Sequence, residues 1–172
     1  VVKHFFDGGG RLVDTSPNYG RSDEVVGSLL EGGGWRDKAF IATKIAADSR
    51  EAAEAQWAQS LRRLRTDKVE LLQVHNLRDW QTQLAYAREL KAQGKTKYVG
   101  VTHYTDAGLP ELEKILRGET LLEETLSGHI VQAVQTANRL IFELRRERDN
   151  DMGTTLTMAL VGAKVEDDRQ DG

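Results

Sequence analysis

The chain has 172 residues, of which 39% are hydrophobic and 30% charged, and this composition predicts one ordinary domain with a hydrophobic core. Its formal net charge of −3 argues against a nucleic-acid-binding protein, because such proteins normally carry a basic face. Since the chain contains no cysteine, disulfides, zinc-thiolate sites and cysteine nucleophiles are excluded.

The first residues of the chain read as the end of a helix. Phe5 and Phe6 are apolar, and the glycines Gly8 to Gly10 follow them as a C-terminal stop. Because the chain starts at Val1 rather than at a methionine, we expect it to be a fragment of a longer protein. No apolar run reaches the roughly 18 residues that span a bilayer and no secretory signal opens the chain, so a cytoplasmic location is the default prediction.

Four apolar runs then alternate with helical patterns. The predicted strands cover residues 11–15, 39–44, 69–75 and 97–102. The second and third of them read FIA and VELLQV, with one charge between them. Strands that are covered on both faces have this composition, so we predict a parallel sheet rather than an antiparallel one.

The intervening helices carry start signals and apolar stripes. Ser22 is the predicted N-cap of the first, with Asp23 and Glu24 in its first turn, and Asp48 with Glu51 three residues later is the predicted cap of the second. The third helix is predicted over residues 79–93. Apolar residues recur at helical spacing in three helices: Val25, Val26, Leu29 and Leu30; Ala53, Trp57, Leu61 and Leu64; and Leu109, Leu112, Ile115 and Leu116.

The regular alternation ends at Gly118. We predict a divergent, mainly helical segment over residues 119–163, because apolar residues between Ile130 and Leu144 recur at steps of about four and three. Residues 164–172 are mostly charged and are predicted to be disordered. An open sheet of four or five strands exposes two edges and part of its interior face. We expect the helical stripe to cover this surface, either by folding back on the same chain or by pairing with a second copy as a homodimer.

Polar residues stand at the C-terminal ends of the four predicted strands. They are Asp14, Lys44, His75 and Thr102, at intervals of about 30 residues, which is the length of one strand, one helix and two loops. Right-handed crossovers bring such strand ends to one face of one parallel sheet, where α/β proteins keep their chemistry. Each residue alone has a structural explanation, as a turn initiator, a strand terminus or a core histidine. Four such residues on one face of the sheet, together with Tyr19 in the first loop, favour a functional site.

The residue types suit the reduction of a carbonyl group. A phenol is too weak an acid to release its proton readily at neutral pH, but a nearby ammonium stabilises the phenolate, and an aspartate holds that ammonium in place. Tyr19 is then a general acid supported by Lys44 and Asp14, while a neutral His75 donates a hydrogen bond to the carbonyl oxygen. This set protonates an alkoxide. A hydride is also needed, and because no side chain supplies one, a nicotinamide cofactor is implied.

Four motifs in order resemble the strand-end motifs of the aldo-keto reductase family over residues 1–117. They read DTSPNYG, ATK, QVHN and GVTHY. The resemblance implies a (β/α)8 TIM barrel that uses NADP(H) to reduce an aldehyde or ketone, a small-molecule carbonyl substrate, to an alcohol. The chain is similar to the second to fifth units of that barrel, so we predict a partial barrel over residues 1–118.

The resemblance also implies roles for six residues: Tyr19 as proton donor, Lys44 and Asp14 as its tuning pair, His75 as orienter of the carbonyl, and Thr102 and His103 as holders of the nicotinamide carboxamide. His103 stands where the family commonly has asparagine. The last two units of such a barrel carry much of the grip on the pyrophosphate and 2′-phosphate, and they have no recognisable match here. The glycine triplets read neither as GxGxxG nor as a P-loop.

Two alternatives remain open. One is a catalytically incomplete reductase chain that keeps the catalytic face but lacks the full cofactor site. The other is a metal-dependent barrel hydrolase that uses Asp14, His75 and His103 as ligands together with Lys44. Against the hydrolase, the sequence contains no HxH or HExxH pair, and we predict no metal site.

Overall fold

The structure is a computed structural model, and it describes residues 1–118. Within this range one parallel sheet has the strand order β1-β2-β3-β4, consistent with a partial TIM barrel. The elements are α1 (Val2–Asp7), β1 (Leu12–Asp14), α2 (Ser22–Gly33), β2 (Phe40–Ile45), α3 (Arg50–Leu64), β3 (Val69–His75), α4 (Trp80–Ala92), β4 (Thr96–Thr102) and α5 (Leu109–Gly118). The predicted helical segment 119–163 and tail 164–172 lie outside the described residues.

The parallel register brings the polar strand ends to the same edge of the sheet. Lys44 pairs with Gln73 across β2 and β3, and His75 pairs with Thr102 across β3 and β4. Asp14 pairs with Ala42, so β2 extends beyond β1 at this edge. The predicted arrangement of parallel strands is therefore confirmed, and the side chains of distant sequence positions meet at one end of the sheet.

The core lies on both faces of the two central strands. All of β2 except Phe40, and all of β3 except Glu70, is buried. Helices α3, α4 and α5 cover the strands with the apolar residues Ala53, Trp57, Leu64, Leu84, Ala87, Leu90, Leu112 and Ile115. These strands contain few charged residues because helices cover one face of the sheet and the other face lines the interior of the partial barrel. Neither face of the two strands is open to solvent.

The two predicted helix caps differ from the observed ones by one residue. Ser22 is the first residue of α2, and its Oγ lies 2.9 Å from Thr15 Oγ1 instead of capping the helix. At α3, Ser49 is the N-cap and its Oγ accepts the Ala52 N–H at 3.2 Å. Asp48 does not take this role because its carboxylate accepts hydrogen bonds from the Arg78 guanidinium of the next loop.

The apolar stripe of α2 is only partly covered. Leu30 is buried, but Val25 and Leu29 are exposed, and on the edge strand β1 the side chain of Leu12 is 58% exposed. Together with residues of α1, several of these side chains line an apolar groove beside β1. Among residues 1–118, no helix is long and apolar enough to cross a bilayer.

Helix α2 approaches the backbone of α3 closely at Gly27. A Cβ added at Gly27 would lie 2.2 Å from the carbonyl oxygen of Arg63 and 2.8 Å from Leu64 Cα, and these are backbone atoms that do not move aside. We expect Gly27→Ala to lower the free energy of unfolding by about 1–3 kcal/mol, as overpacking does, although alanine favours helices. Urea denaturation of the 172-residue chain measures this change.

Gly32→Ala is the matched control for this prediction, because a Cβ at Gly32 in the same helix would meet nothing within 4 Å. We expect Gly32→Ala to stabilise the chain by up to about 1 kcal/mol through helix propensity alone. Equal gains in stability for both variants would contradict the close packing at Gly27.

Candidate active site

A buried ion pair joins the ends of β1 and β2. Lys44 Nζ donates to Asp14 Oδ2 at 2.6 Å and to the Thr15 carbonyl oxygen at 2.9 Å. The Lys44 side chain has no exposed area, while that of Asp14 is 30% exposed. An ammonium buried to this degree needs a compensating anion, and Asp14 supplies it. The structure therefore contains the predicted ion pair between Lys44 and Asp14, and the Lys44 ammonium lies below the protein surface.

Gln73 contacts the same aspartate from β3, a contact that the sequence analysis missed. Its Nε2 lies 3.4 Å from Asp14 Oδ1, a long hydrogen bond. The other amide atom, Gln73 Oε1, has no partner among the described residues. The signal in the sequence was a polar residue within the apolar strand VELLQV, two positions before His75. Period-two alternation gives Gln73 and His75 the same face of the strand.

Tyr19 lies over this ion pair at the surface. Its side chain is 43% exposed, and the centroid of its ring is 5.1 Å from Lys44 Nζ. The ring meets that of His75 edge-on, with centroids 5.8 Å apart. The loop is shaped by a turn in which the Tyr19 N–H donates to the Ser16 carbonyl and Gly20 takes a φ of +60°, a conformation that glycine adopts without strain. Tyr19, Lys44 and His75 are thus brought together.

His75 lies buried at the end of β3. Burial and, second, the Lys44 ammonium lower the pKa of His75, while Asp14 raises it in part. Its Nδ1 lies 3.2 Å from Ser16 Oγ. Because the ordinary histidine pKa is about 6.5, a lowered value favours the neutral ring at pH 7. The role of His75 as a hydrogen-bond donor stays a prediction.

This lowered pKa predicts how stability depends on pH. The folded state binds a proton at His75 less readily than the unfolded state, so the contribution of His75 to stability is fully present above about pH 6.5. It is lost as the pH falls from there through the lower folded pKa. We expect urea denaturation between pH 7.5 and pH 5 to show a larger loss of stability for the wild type than for His75→Gln, and identical pH profiles would contradict the shift.

A second group of buried polar side chains supports Thr15, whose carbonyl oxygen accepts a hydrogen bond from Lys44. Thr15 Oγ1 donates to Asp23 Oδ1 at 2.7 Å, and Ser60 Oγ of α3 donates to Asp23 Oδ2 at 3.1 Å. All three side chains are buried. The sequence predicted Asp23 in the first turn of α2, where the helix dipole favours acidic residues. In the structure it also ties the β1 loop to α3.

The two residues predicted to hold the cofactor occupy different settings. Thr102 is buried at the end of β4, beside His75 in register. The His103 ring is turned into its own loop, where its Nδ1 accepts the Thr105 N–H at 3.1 Å and where a Cβ on Gly108 would lie 2.3 Å from the ring. Only Nε2 of His103 is therefore left for a ligand.

The side chains assembled at the site are of types that suit proton transfer. In the part of the chain that the structure describes, no three His, Cys, Asp or Glu side chains come together as metal ligands would. The assembled groups are a phenol, a buried ammonium and a neutral imidazole. Groups of these types can supply a proton and a hydrogen bond to a carbonyl, and they need an external hydride donor to complete a reduction.

Comparison with known proteins gives consistent matches. Residues 1–139 match the sequence profile described as the Aldo/keto reductase family. The chain is 33% identical over 124 residues to the aldo-keto reductase YhdN of Bacillus subtilis (strain 168), covering 61% of this chain and 36% of that protein. It is 30% identical over 125 residues to the methylglyoxal reductase DkgB of Salmonella typhi, covering 67% and 45%.

Two solved structures give the same picture of the fold. An aldo/keto reductase from Brucella melitensis superposes with a TM-score of 0.56 at 30% identity, covering 66% of this chain and 46% of that one. An aldo-keto reductase from Klebsiella pneumoniae in complex with NADPH superposes with a TM-score of 0.56 at 27% identity, covering 67% and 40%. The chain thus spans between a third and half of the length of these proteins.

Proposed function

This chain belongs to the aldo/keto reductase family, and from that premise we propose that its protein is an NADP(H)-dependent oxidoreductase that reduces an aldehyde or ketone to an alcohol. The observation that carries the proposal is the buried Lys44 ammonium, paired with Asp14 and lying 5.1 Å from the Tyr19 ring centroid. The NADPH-bound relative supports the cofactor, and the relative named methylglyoxal reductase supports a small carbonyl substrate.

In the proposed mechanism, a nicotinamide cofactor, when bound, would supply a hydride for the carbonyl carbon. His75 donates a hydrogen bond to the carbonyl oxygen and orients it. As the carbon–oxygen π electrons move to oxygen, Tyr19 transfers its hydroxyl proton there, so that the product leaves as a neutral alcohol. Lys44 stabilises the phenolate that remains, and Asp14 keeps Lys44 in place. The exposed Tyr19 then takes a new proton from water.

We propose that Thr102 and His103 contact the nicotinamide end of the cofactor. Thr102 offers a hydroxyl at the same sheet edge as His75, and His103 offers Nε2, since its Nδ1 is engaged by its own loop. A second candidate concerns the isolated chain, which spans 40% of the NADPH-bound relative. It is a catalytically incomplete chain that keeps the catalytic residues without retaining the cofactor.

A fluorescence titration with NADPH and an assay with small aldehydes, including methylglyoxal, test the proposal. We expect NADPH to be oxidised in step with alcohol formation. If the 172-residue chain binds no NADPH, that result favours the second candidate, a catalytically incomplete chain. NADPH binding without reduction of any small aldehyde or ketone would contradict the proposed reaction.

A further inference from the structure

Ser16 forms a buried hydrogen bond with His75 that the proposed mechanism does not use. Ser16 is fully buried in the loop after β1, and its Oγ lies 3.2 Å from His75 Nδ1. The same oxygen accepts the backbone N–H of Asn18 at 3.2 Å. A backbone N–H only donates, so the direction of this second hydrogen bond is certain.

The 3.2 Å distance between Ser16 Oγ and His75 Nδ1 is compatible with two positions of the shared hydrogen atom. In one, the Ser16 hydroxyl donates to Nδ1; in the other, a protonated Nδ1 donates to Ser16 Oγ. The second arrangement makes Ser16 Oγ accept twice and leaves its hydroxyl hydrogen without an acceptor, because no further Ser16 Oγ hydrogen bond occurs within residues 1–118. An unpartnered donor at a fully buried position costs about 1–3 kcal/mol, so the first arrangement is favoured.

We propose that Ser16 is a positioning residue that donates its hydroxyl hydrogen to His75 Nδ1 and thereby fixes the neutral imidazole with its proton on Nε2. This inference rests on the proposed function, in which His75 orients a carbonyl oxygen. In this tautomer Nε2 is a donor and meets the oxygen with a hydrogen. In the other tautomer Nε2 presents a lone pair, which repels the oxygen lone pairs.

The loop geometry keeps Ser16 at the required distance. The adjacent Thr15 N–H donates to the Ala42 carbonyl at 2.9 Å, which continues the pairing between β1 and β2 by one residue. The Thr15 hydroxyl is tied to the buried Asp23. Ser16 therefore directly follows a residue that is held through both its backbone and its side chain. His75 is the last residue of the central strand β3, so both partners of the hydrogen bond are fixed in place. Burial and Lys44 lower the pKa of His75 and keep the ring in the neutral state in which tautomers exist.

Imidazole ¹⁵N NMR of the full 172-residue chain at neutral pH tests this inference directly. We expect the wild type to show His75 protonated on Nε2, with an unprotonated Nδ1 shifted by the hydrogen bond that it accepts. In Ser16→Ala, the Nδ1 signal should move toward that of a free unprotonated nitrogen. His75 protonated on Nδ1 in the wild type overturns the proposal, and this measurement decides even where Ser16→Ala fails to fold.

Two controls separate this effect from a general change in packing. Thr96→Val also removes a buried hydroxyl, but Thr96 begins β4 at the opposite end of the sheet and its Oγ1 donates to the Tyr98 carbonyl oxygen, so the His75 signals should stay in place. His103, whose Nδ1 accepts from a backbone N–H, is an internal reference that should not shift in either variant. A folded Ser16→Ala chain with an unchanged His75 spectrum overturns the proposal.

The spectroscopic test needs neither cofactor nor turnover, so its outcome is separate from that of the proposed reductase activity. In the active protein, we expect Ser16→Ala to lower kcat about fivefold, the effect of one net hydrogen bond, with the KM for NADPH unchanged. A rise in the KM for NADPH with unchanged kcat would overturn the positioning role.

Discussion

Tyr19→Phe is expected to lower kcat for the NADPH-dependent reduction of a simple aromatic aldehyde by at least about 100-fold. The substitution keeps the ring beside Lys44 and His75 but removes the hydroxyl that we propose as the proton donor, and general acid catalysis is commonly worth this factor or more. Because the proton moves in the transition state, the loss should fall on kcat more than on KM. Steady-state kinetics of the purified protein measure both.

Tyr98→Phe is the matched control for this experiment. It removes a hydroxyl from a tyrosine of β4 whose ring stacks on Phe40, with centroids 6.0 Å apart, and which takes no part in the site. We expect its turnover to equal that of the wild type. A Tyr19→Phe protein with wild-type kcat would refute Tyr19 as the acid, whereas equal losses in both variants would mean that the assay reports damaged folding.

Lys44→Met is expected to abolish activity and to lower the free energy of unfolding by about 3 kcal/mol. Methionine fills a similar volume but leaves the Asp14 carboxylate without its cation. Breaking a buried pair in this way costs about 3–5 kcal/mol, and the 30% exposure of the Asp14 side chain places the expected value at the low end. Urea denaturation measures the change in stability, and the NADPH-dependent assay measures the change in turnover.

Two further variants identify the cause of this destabilisation. The double variant Lys44→Met with Asp14→Asn removes the uncompensated charge as well, so it should be more stable than Lys44→Met alone. Lys3→Met makes the same substitution in an exposed ion pair with Asp7, where we expect a loss below about 1 kcal/mol. A Lys44→Met chain as stable as Lys3→Met would show that burial of the pair contributes little.

The sequence predicted the order and type of the elements in residues 1–118 well, because the signals for them are local. The strand 69–75 agrees with the observed β3 at both ends, and the other three strands differ by one residue at one or both ends. Apolar runs with few charges indicated strands covered on both faces, and glycines marked the helix ends. The family was also identified from its four motifs, and the match over residues 1–139 confirms it.

The helix caps were less predictable because each depends on a competition between neighbouring side chains. Asp48 and Ser49 are both good N-cap residues by type. The choice of Ser49 follows from Arg78, which draws the Asp48 carboxylate into an ion pair 30 residues away in the chain. The dimer and the cytoplasmic location remain predictions, and light scattering of the purified chain tests the first of them.

By itself the sequence determined that Asp14, Lys44, His75 and Thr102 lie at the C-terminal ends of successive parallel strands or within one residue of them, because the strand and helix periods and the hand of the crossovers are properties of short segments. Only the tertiary structure decided which atoms of these residues meet. The contact of Ser16 with His75 and that of Gln73 with Asp14 each join residues 59 positions apart. Burial of Asp23 and the inward turn of His103 likewise depend on register and close packing, which set distances to a fraction of an ångström and leave no trace in local patterns.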